Sequence, residues 1–316
     1  MKKVLKTIAN IFGILLLSAL LLVLVVYIYH SKMLSIEEPL LEDPIGQLVE
    51  VDGHNMCVYE AGTGDHTLLL LSGSGTPAPI LDFKCLYSLL ENDFRIVVIE
   101  KYGYGFSDIV DTERSFDTIL RQDREALSKL GIEGPFILCP HSMSGLEAIL
   151  WAQDYPSEVE GIIGLDMALP KFYEVTDLDA SLRSEKLIAI ARAIGFTRFY
   201  YTGSNLPPDL TKEEKELYQA IAARNTVNVD VYNEGVAIPD AVSKIRGKQM
   251  PDIPMILFAS NGEGTGTATD IWRGIQREFA SGLADAKVIE FDSPHYLHYS
   301  EAQRIADEIR SFAAFL

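Results

Sequence analysis

From about residue 46 onward the apolar positions fall into two rhythms. Short, mostly apolar runs at 67–71, 94–99, 135–138, 159–165, 255–259 and 288–291 predict buried strands. Between them, apolar residues recur every three or four positions. Segment 80–90 has this spacing, and Phe116, Ile119, Leu120, Leu127 and Leu130 form one stripe. Residues 146–152 and Ala302, Ile305, Ile309 and Phe312 read as further helices, the last closing the chain. Segments 47–51 and 56–60 predict a leading hairpin. Strand runs alternating with helical segments predict an α/β fold, a mostly parallel sheet with flanking helices.

The first thirty residues follow neither rhythm. Residues 11–29 are apolar apart from Gly13 and Ser18. At roughly 1.5 Å per residue, a helix of that length matches the hydrocarbon core of a bilayer. The run is longer than the apolar region of a signal peptide, and residues 27–31 offer no small-x-small cleavage site. An uncleaved transmembrane helix, a signal-anchor, is therefore expected. Lys2, Lys3 and Lys6 precede it and only Lys32 follows closely, which predicts a cytoplasmic N-terminus and an extracytoplasmic domain at the cell membrane. The expected organisation is a cytoplasmic tip and anchor over 1–32, a tether over 33–45 and a folded domain over 46–316.

Charge and cysteine content narrow the partners. The formal net charge is −18, and the span's three flanking lysines leave the remainder more acidic still. Phosphate backbones would be repelled, so no nucleic-acid partner is expected. Cys57, Cys85 and Cys139 are too few for a disulfide framework. Neither zinc-ligand spacing nor a phosphate-binding loop is present, since 261–266 lacks the Lys-Ser/Thr that grips phosphate and magnesium. No cofactor and no metal are expected.

Candidate chemistry centres on Cys139-Pro140-His141-Ser142-Met143-Ser144-Gly145, set between a predicted strand and a predicted helix. A serine on such a turn has its hydroxyl lifted clear of the sheet. Small residues are needed two places before and after it, and here Pro140 and Ser144 occupy them, a degenerate form of Gly-x-Ser-x-Gly.

Four motifs, in order and at strand ends, make the chain resemble the α/β-hydrolase family from about residue 46 to the end. Leu71-Ser72-Gly73-Ser74-Gly75 resembles the oxyanion turn. Residues 100–108, Glu-Lys-Tyr-Gly-Tyr-Gly-Phe-Ser-Asp, resemble the turn after the fourth strand. His141–Gly145 resembles the nucleophile elbow, and Ser293-Pro294-His295-Tyr296-Leu297-His298 the histidine loop. The resemblance implies a serine hydrolase with Ser142 as nucleophile and His295 as base. His298 is the competing base, and His141 is placed to shape the pocket. The acid is Asp166, which resembles the Gly-Leu-Asp acid of the pancreatic-lipase branch, or alternatively Glu263, after the next strand, where the family more often has its acid. Backbone N–H groups of Ser74 and Met143 would hold the oxyanion.

The strand pattern lapses between Asp166 and Pro251, with helical spacing at 182–194 and 212–223. An insertion here, about 168–250, resembles the helical cap of many family members. Its Phe172, Tyr173, Phe196, Phe199, Tyr200 and Tyr201 either line an apolar pocket or serve as core. The function expected is hydrolysis of a carboxylic ester, esterase- or lipase-like, with a small-molecule, apolar acyl substrate. A prolyl-iminopeptidase-like aminopeptidase and a non-catalytic binding protein on the same fold are the alternatives.

Overall fold

A computed structural model describes residues 1–316. Its eight strands are β1 (Gln47–Val51), β2 (His54–Ala61), β3 (Thr67–Leu71), β4 (Arg95–Glu100), β5 (Phe136–Pro140), β6 (Val159–Leu165), β7 (Met255–Ala259) and β8 (Ala286–Glu290). They form one sheet in the order β1-β2-β4-β3-β5-β6-β7-β8. The two contacts of β2 are antiparallel and the rest are parallel. Every residue of β3, β5 and β7 is buried, because helices cover both faces; that burial is why these strands read as mostly apolar runs.

The helices are α1 (Lys2–Glu37), α2 (Pro79–Asp82), α3 (Lys84–Tyr87), α4 (Phe116–Lys129), α5 (Ser144–Asp154), α6 (Phe172–Val175), α7 (Leu178–Ala193), α8 (Lys212–Asn225), α9 (Val229–Arg246), α10 (Thr269–Ser281), α11 (Leu297–Ser300) and α12 (Ala302–Ala313). Local chemistry sets several starts. Ser115 caps α4 by accepting from the Thr118 N–H, and Thr211 and Glu214 close a capping box on α8. One apolar core lies on each face of the sheet. Leu69, Val97, Leu138 and Ile162 face α4, α5 and α9 on one side, and Leu70, Val98, Ile137 and Ile163 face α3 and α12 on the other.

Three elements differ from the sequence reading. The 80–90 segment is two short helices followed by a turn rather than one helix. The cap has a further long helix, α9, with Gly235 and Pro239 inside it. The 33–45 segment is not a loose tether: α1 runs through it to Glu37, a 3-10 turn continues to Leu41, and Glu37 is buried against the cap. The physical reason is a cation pair on the cap. Arg198 makes a bidentate pair with Glu37 at 2.7 and 2.8 Å, and Arg224 reaches the same carboxylate at 3.7 Å.

Candidate active site

Ser142 sits where β5 gives way to α5, with φ +53°. A serine held in the left-handed region is strained, and the surroundings keep it there. Ala168 N–H donates to the Ser142 carbonyl at 2.7 Å. Ser144 is fully buried, and its hydroxyl lies 2.7 Å from the Leu71 carbonyl and 2.8 Å from that of His141. This explains the degenerate motif. Ser144 is tolerated because its single O–H has two carbonyl acceptors within reach. The position that must lack a side chain has moved to Gly145, where a Cβ would lie 2.4 Å from the Ala168 carbonyl oxygen.

His295 faces this serine. Its Nε2 is 2.8 Å from Ser142 Oγ, and its Nδ1 is 2.6 Å from Asp166 Oδ2. Asp166 is wholly buried at the end of β6, and its other oxygen accepts from the Trp272 indole N–H and the Ser260 N–H, each at 2.7 Å. Both oxygens are thus fixed, and the imidazole is held in one orientation. The structure brings Ser142, His295 and Asp166 together and leaves the Glu263 side chain apart. Glu263 is exposed, and only its carbonyl touches the histidine, accepting the His295 N–H at 2.8 Å.

The other histidines have separate partners. His298 Nε2 is 3.2 Å from Asp82, which also accepts from the Tyr299 hydroxyl. His141 donates from Nε2 to the His295 carbonyl at 3.3 Å, and its ring lies 4.7 Å from that of His295. Burial, reinforced by His295 and His298, drives the His141 pKa well below its ordinary value. It is a neutral prop for the loop that carries His295.

Ser74 and Met143 N–H groups make no hydrogen bond within the chain. Met143 directly follows Ser142, and Ser74 follows Gly73, which packs on Ser142. Two unpaired donors thus belong to the two turns that meet at Ser142, the turns from which an acyl oxyanion would be stabilised.

Sequence reasoning missed a buried ionic network beneath this turn. Lys101 Nζ lies 3.2 Å from Glu147 on α5, 3.8 Å from Glu234 on α9 and 3.5 Å from the Ser72 carbonyl. Burial would lower the Lys101 pKa, but Glu147, Glu234 and Asp123 outweigh it and hold it above its usual value. Arg114 and the Tyr104 hydroxyl also reach Glu234. The network ties the cap, the oxyanion turn and the elbow helix together.

Two cavities meet the site. One of about 600 Å³ runs from Ser74 and Gly75 into the cap, between Glu185, Ile188, Phe196 and Tyr200. The other, about 460 Å³, lies over His295 among Tyr201, Tyr218, Tyr296 and Tyr299. Of the six cap aromatics, Phe196, Tyr200 and Tyr201 line these cavities. Phe172 instead packs edge-on against Trp272, and Phe199 is exposed.

This sheet order, with an elbow serine and a histidine–carboxylate pair at the strand ends, defines a class. The chain has the α/β-hydrolase fold. It is 39% identical over 240 residues, 74% of each chain, to YbdG, an uncharacterized protein of Bacillus subtilis (strain 168). No protein-family model matches it. Among solved structures it resembles a loop variant of the haloalkane dehalogenase DbeA from Bradyrhizobium elkanii, with TM-score 0.63 and 18% identity over 85% of this chain and 95% of that one. It also resembles a proposed epoxide hydrolase variant from Pseudomonas aeruginosa, with TM-score 0.63 and 19% identity over 86% and 97%. At these identities the likeness establishes the fold.

Proposed function

We propose that this chain is a membrane-anchored serine hydrolase of carboxylic esters with an apolar acyl group. The observation that carries the reading is the Ser142–His295–Asp166 chain of 2.8 and 2.6 Å contacts. His295 Nε2 takes the Ser142 proton as Oγ attacks the acyl carbonyl. Met143 and Ser74 N–H groups receive the oxyanion, and Asp166 stabilises the imidazolium. His295 then protonates the leaving alkoxide, and a water activated by the same nitrogen releases the acid.

The nucleophile's identity separates this chemistry from that named for the structural neighbours. Serine attack on the saturated carbon of an alkyl halide or epoxide would leave an ether, which water does not release. Attack on an acyl carbon leaves an ester, which it does. Turnover with Ser142 therefore requires an acyl substrate. An aminopeptidase would need an ionised carboxylate for the substrate's ammonium. The one carboxyl lining the larger cavity, Glu185, is pushed up to about 7 by burial and by Glu234, which favours an apolar acyl group instead.

Helix α1 is long and apolar enough to cross a membrane, and its flanking lysines support an extracytoplasmic domain. A substrate panel tests the reading. The full chain should hydrolyse 4-nitrophenyl butyrate, lose that activity on Ser142→Ala, and release no halide from 1-chlorobutane. Faster cleavage of a prolyl anilide than of the ester would replace it with the peptidase reading.

A further inference from the structure

The last turns of α1 are a docking face. Val26, His30 and Glu37, four and seven residues apart, are buried while the residues next to them in the chain are exposed. A Cβ on Gly195 would lie 2.4 Å from the His30 Cβ, so the end of α7 and this helix are in close contact. Arg198 donates from Nε to His30 Nδ1 at 2.9 Å while gripping Glu37. Val26 lies inside the apolar span that ends at Tyr29, and it is only 6% exposed. When that span is in a bilayer, the part of the domain covering Val26 and His30 sits at the depth where hydrocarbon meets headgroups. Tyr27 and Tyr29, both exposed, lie at that level, where tyrosine is favoured.

The cap segments on either side of Gly195 carry large apolar side chains that touch no protein core. Leu187 is 68% exposed and Ile190 59%, on the last two turns of α7; Phe199 is 62% exposed, one residue after Arg198. Such a cluster faces a partner rather than water. The domain's negative charge gives it no attraction to anionic lipid, so apolar insertion has to supply the affinity. The same segments line the larger cavity from its other side, through Ile188, Phe196 and Tyr200, and that cavity reaches Ser74 beside Ser142.

We propose that the α7–Phe199 edge of the cap is seated in the bilayer interface and admits acyl chains laterally from the membrane to Ser142. This rests on the ester-hydrolase reading and narrows the substrate to an ester of a membrane-resident acyl chain. The docked α1 holds the opening at a fixed depth, so a lipid enters without first leaving the bilayer for water.

The test uses the full chain in phosphatidylcholine vesicles and two esters with one leaving group. 4-Methylumbelliferyl butyrate is supplied in solution and 4-methylumbelliferyl oleate in the bilayer. The double variant Leu187→Glu, Ile190→Glu should lower oleate turnover at least about tenfold, the scale of removing a buried aliphatic side chain from apolar surroundings. Butyrate turnover should stay within about twofold, as for exposed substitutions away from a site. An equal effect on both esters, or none on oleate, would overturn the portal. So would conversion of a dimer to a monomer by the variant, which would make a second copy the occupant of the patch. If the parent hydrolyses neither ester, the enzymatic reading fails by itself, and a second measurement judges the seating. Emission from Phe199→Trp, above the background of the buried Trp151 and Trp272, should be quenched by lipids brominated on the acyl chain. Unquenched emission would place this edge in water and end the proposal.

Discussion

Gly73 and Ser142 touch across the ends of neighbouring strands: a Cβ built on Gly73 would lie 2.6 Å from the Ser142 Cβ and 3.0 Å from His141 Nδ1. Real Cβ atoms do not approach so closely, so a side chain there must push apart the oxyanion turn and the elbow. Gly73→Ala should lower kcat for a short ester by about a hundredfold or more, the scale of losing an oxyanion donor. Its thermal midpoint should fall as for a modestly overpacked core. Full activity in this variant would mean that the turn does not serve the reaction.

The two candidate acids are separated by their partners. Asp166 holds His295 Nδ1 and is itself held by Trp272 and Ser260, whereas the Glu263 side chain faces solvent. Asp166→Asn is expected to lower kcat at least about a hundredfold, and Glu263→Gln about tenfold or less. Both proteins should first be shown to melt like the parent. Greater damage from Glu263→Gln would move the acid to the loop after β7.

Glu185 gives the larger cavity a pH dependence. Burial, with Glu234 nearby, raises its pKa to about 7. Below that pH the carboxyl is neutral and compatible with an acyl chain; above it a charge enters a space lined by no other charged side chain. The ratio of KM for an octanoyl ester to KM for an acetyl ester should therefore rise as pH passes upward through about 7. Taking the ratio cancels any pH effect common to both esters. Glu185→Gln should make it flat. A ratio that falls with pH in the parent would show that the acyl chain does not occupy this space.

Much of the fold is legible in the sequence because the sheet is buried on both faces. The runs at 67–71, 159–165 and 255–259 coincide with β3, β6 and β7. At the exposed edge the signal weakens. In β8 only Ile289 is buried, and its start lies two residues ahead of the apolar run. Helix α9 escapes a periodicity reading because Gly235 and Pro239 read as breakers, while burial of Val231, Ile238, Val242 and Ile245 holds it together. The network of Lys101, Glu147, Glu234 and Arg114 is illegible for a different reason: a charged residue in a sequence reads as surface until its partner is known. Trp272 likewise reads as an ordinary apolar residue of α10; only the fold brings its N–H to Asp166. The tether expected over 33–45 fails on the same ground, since Arg198 lies far along the chain from Glu37.

The central claim is that Ser142 is an activated nucleophile. It is tested most directly by treating the full chain with a fluorophosphonate and locating the adduct by peptide mass spectrometry. One phosphonyl group is expected on the peptide carrying Ser142. It should be absent from Ser142→Ala and strongly slowed in His295→Ala, because the hydroxyl depends on that base. A correctly folded protein that takes up no label, or one labelled at another serine, would contradict the account.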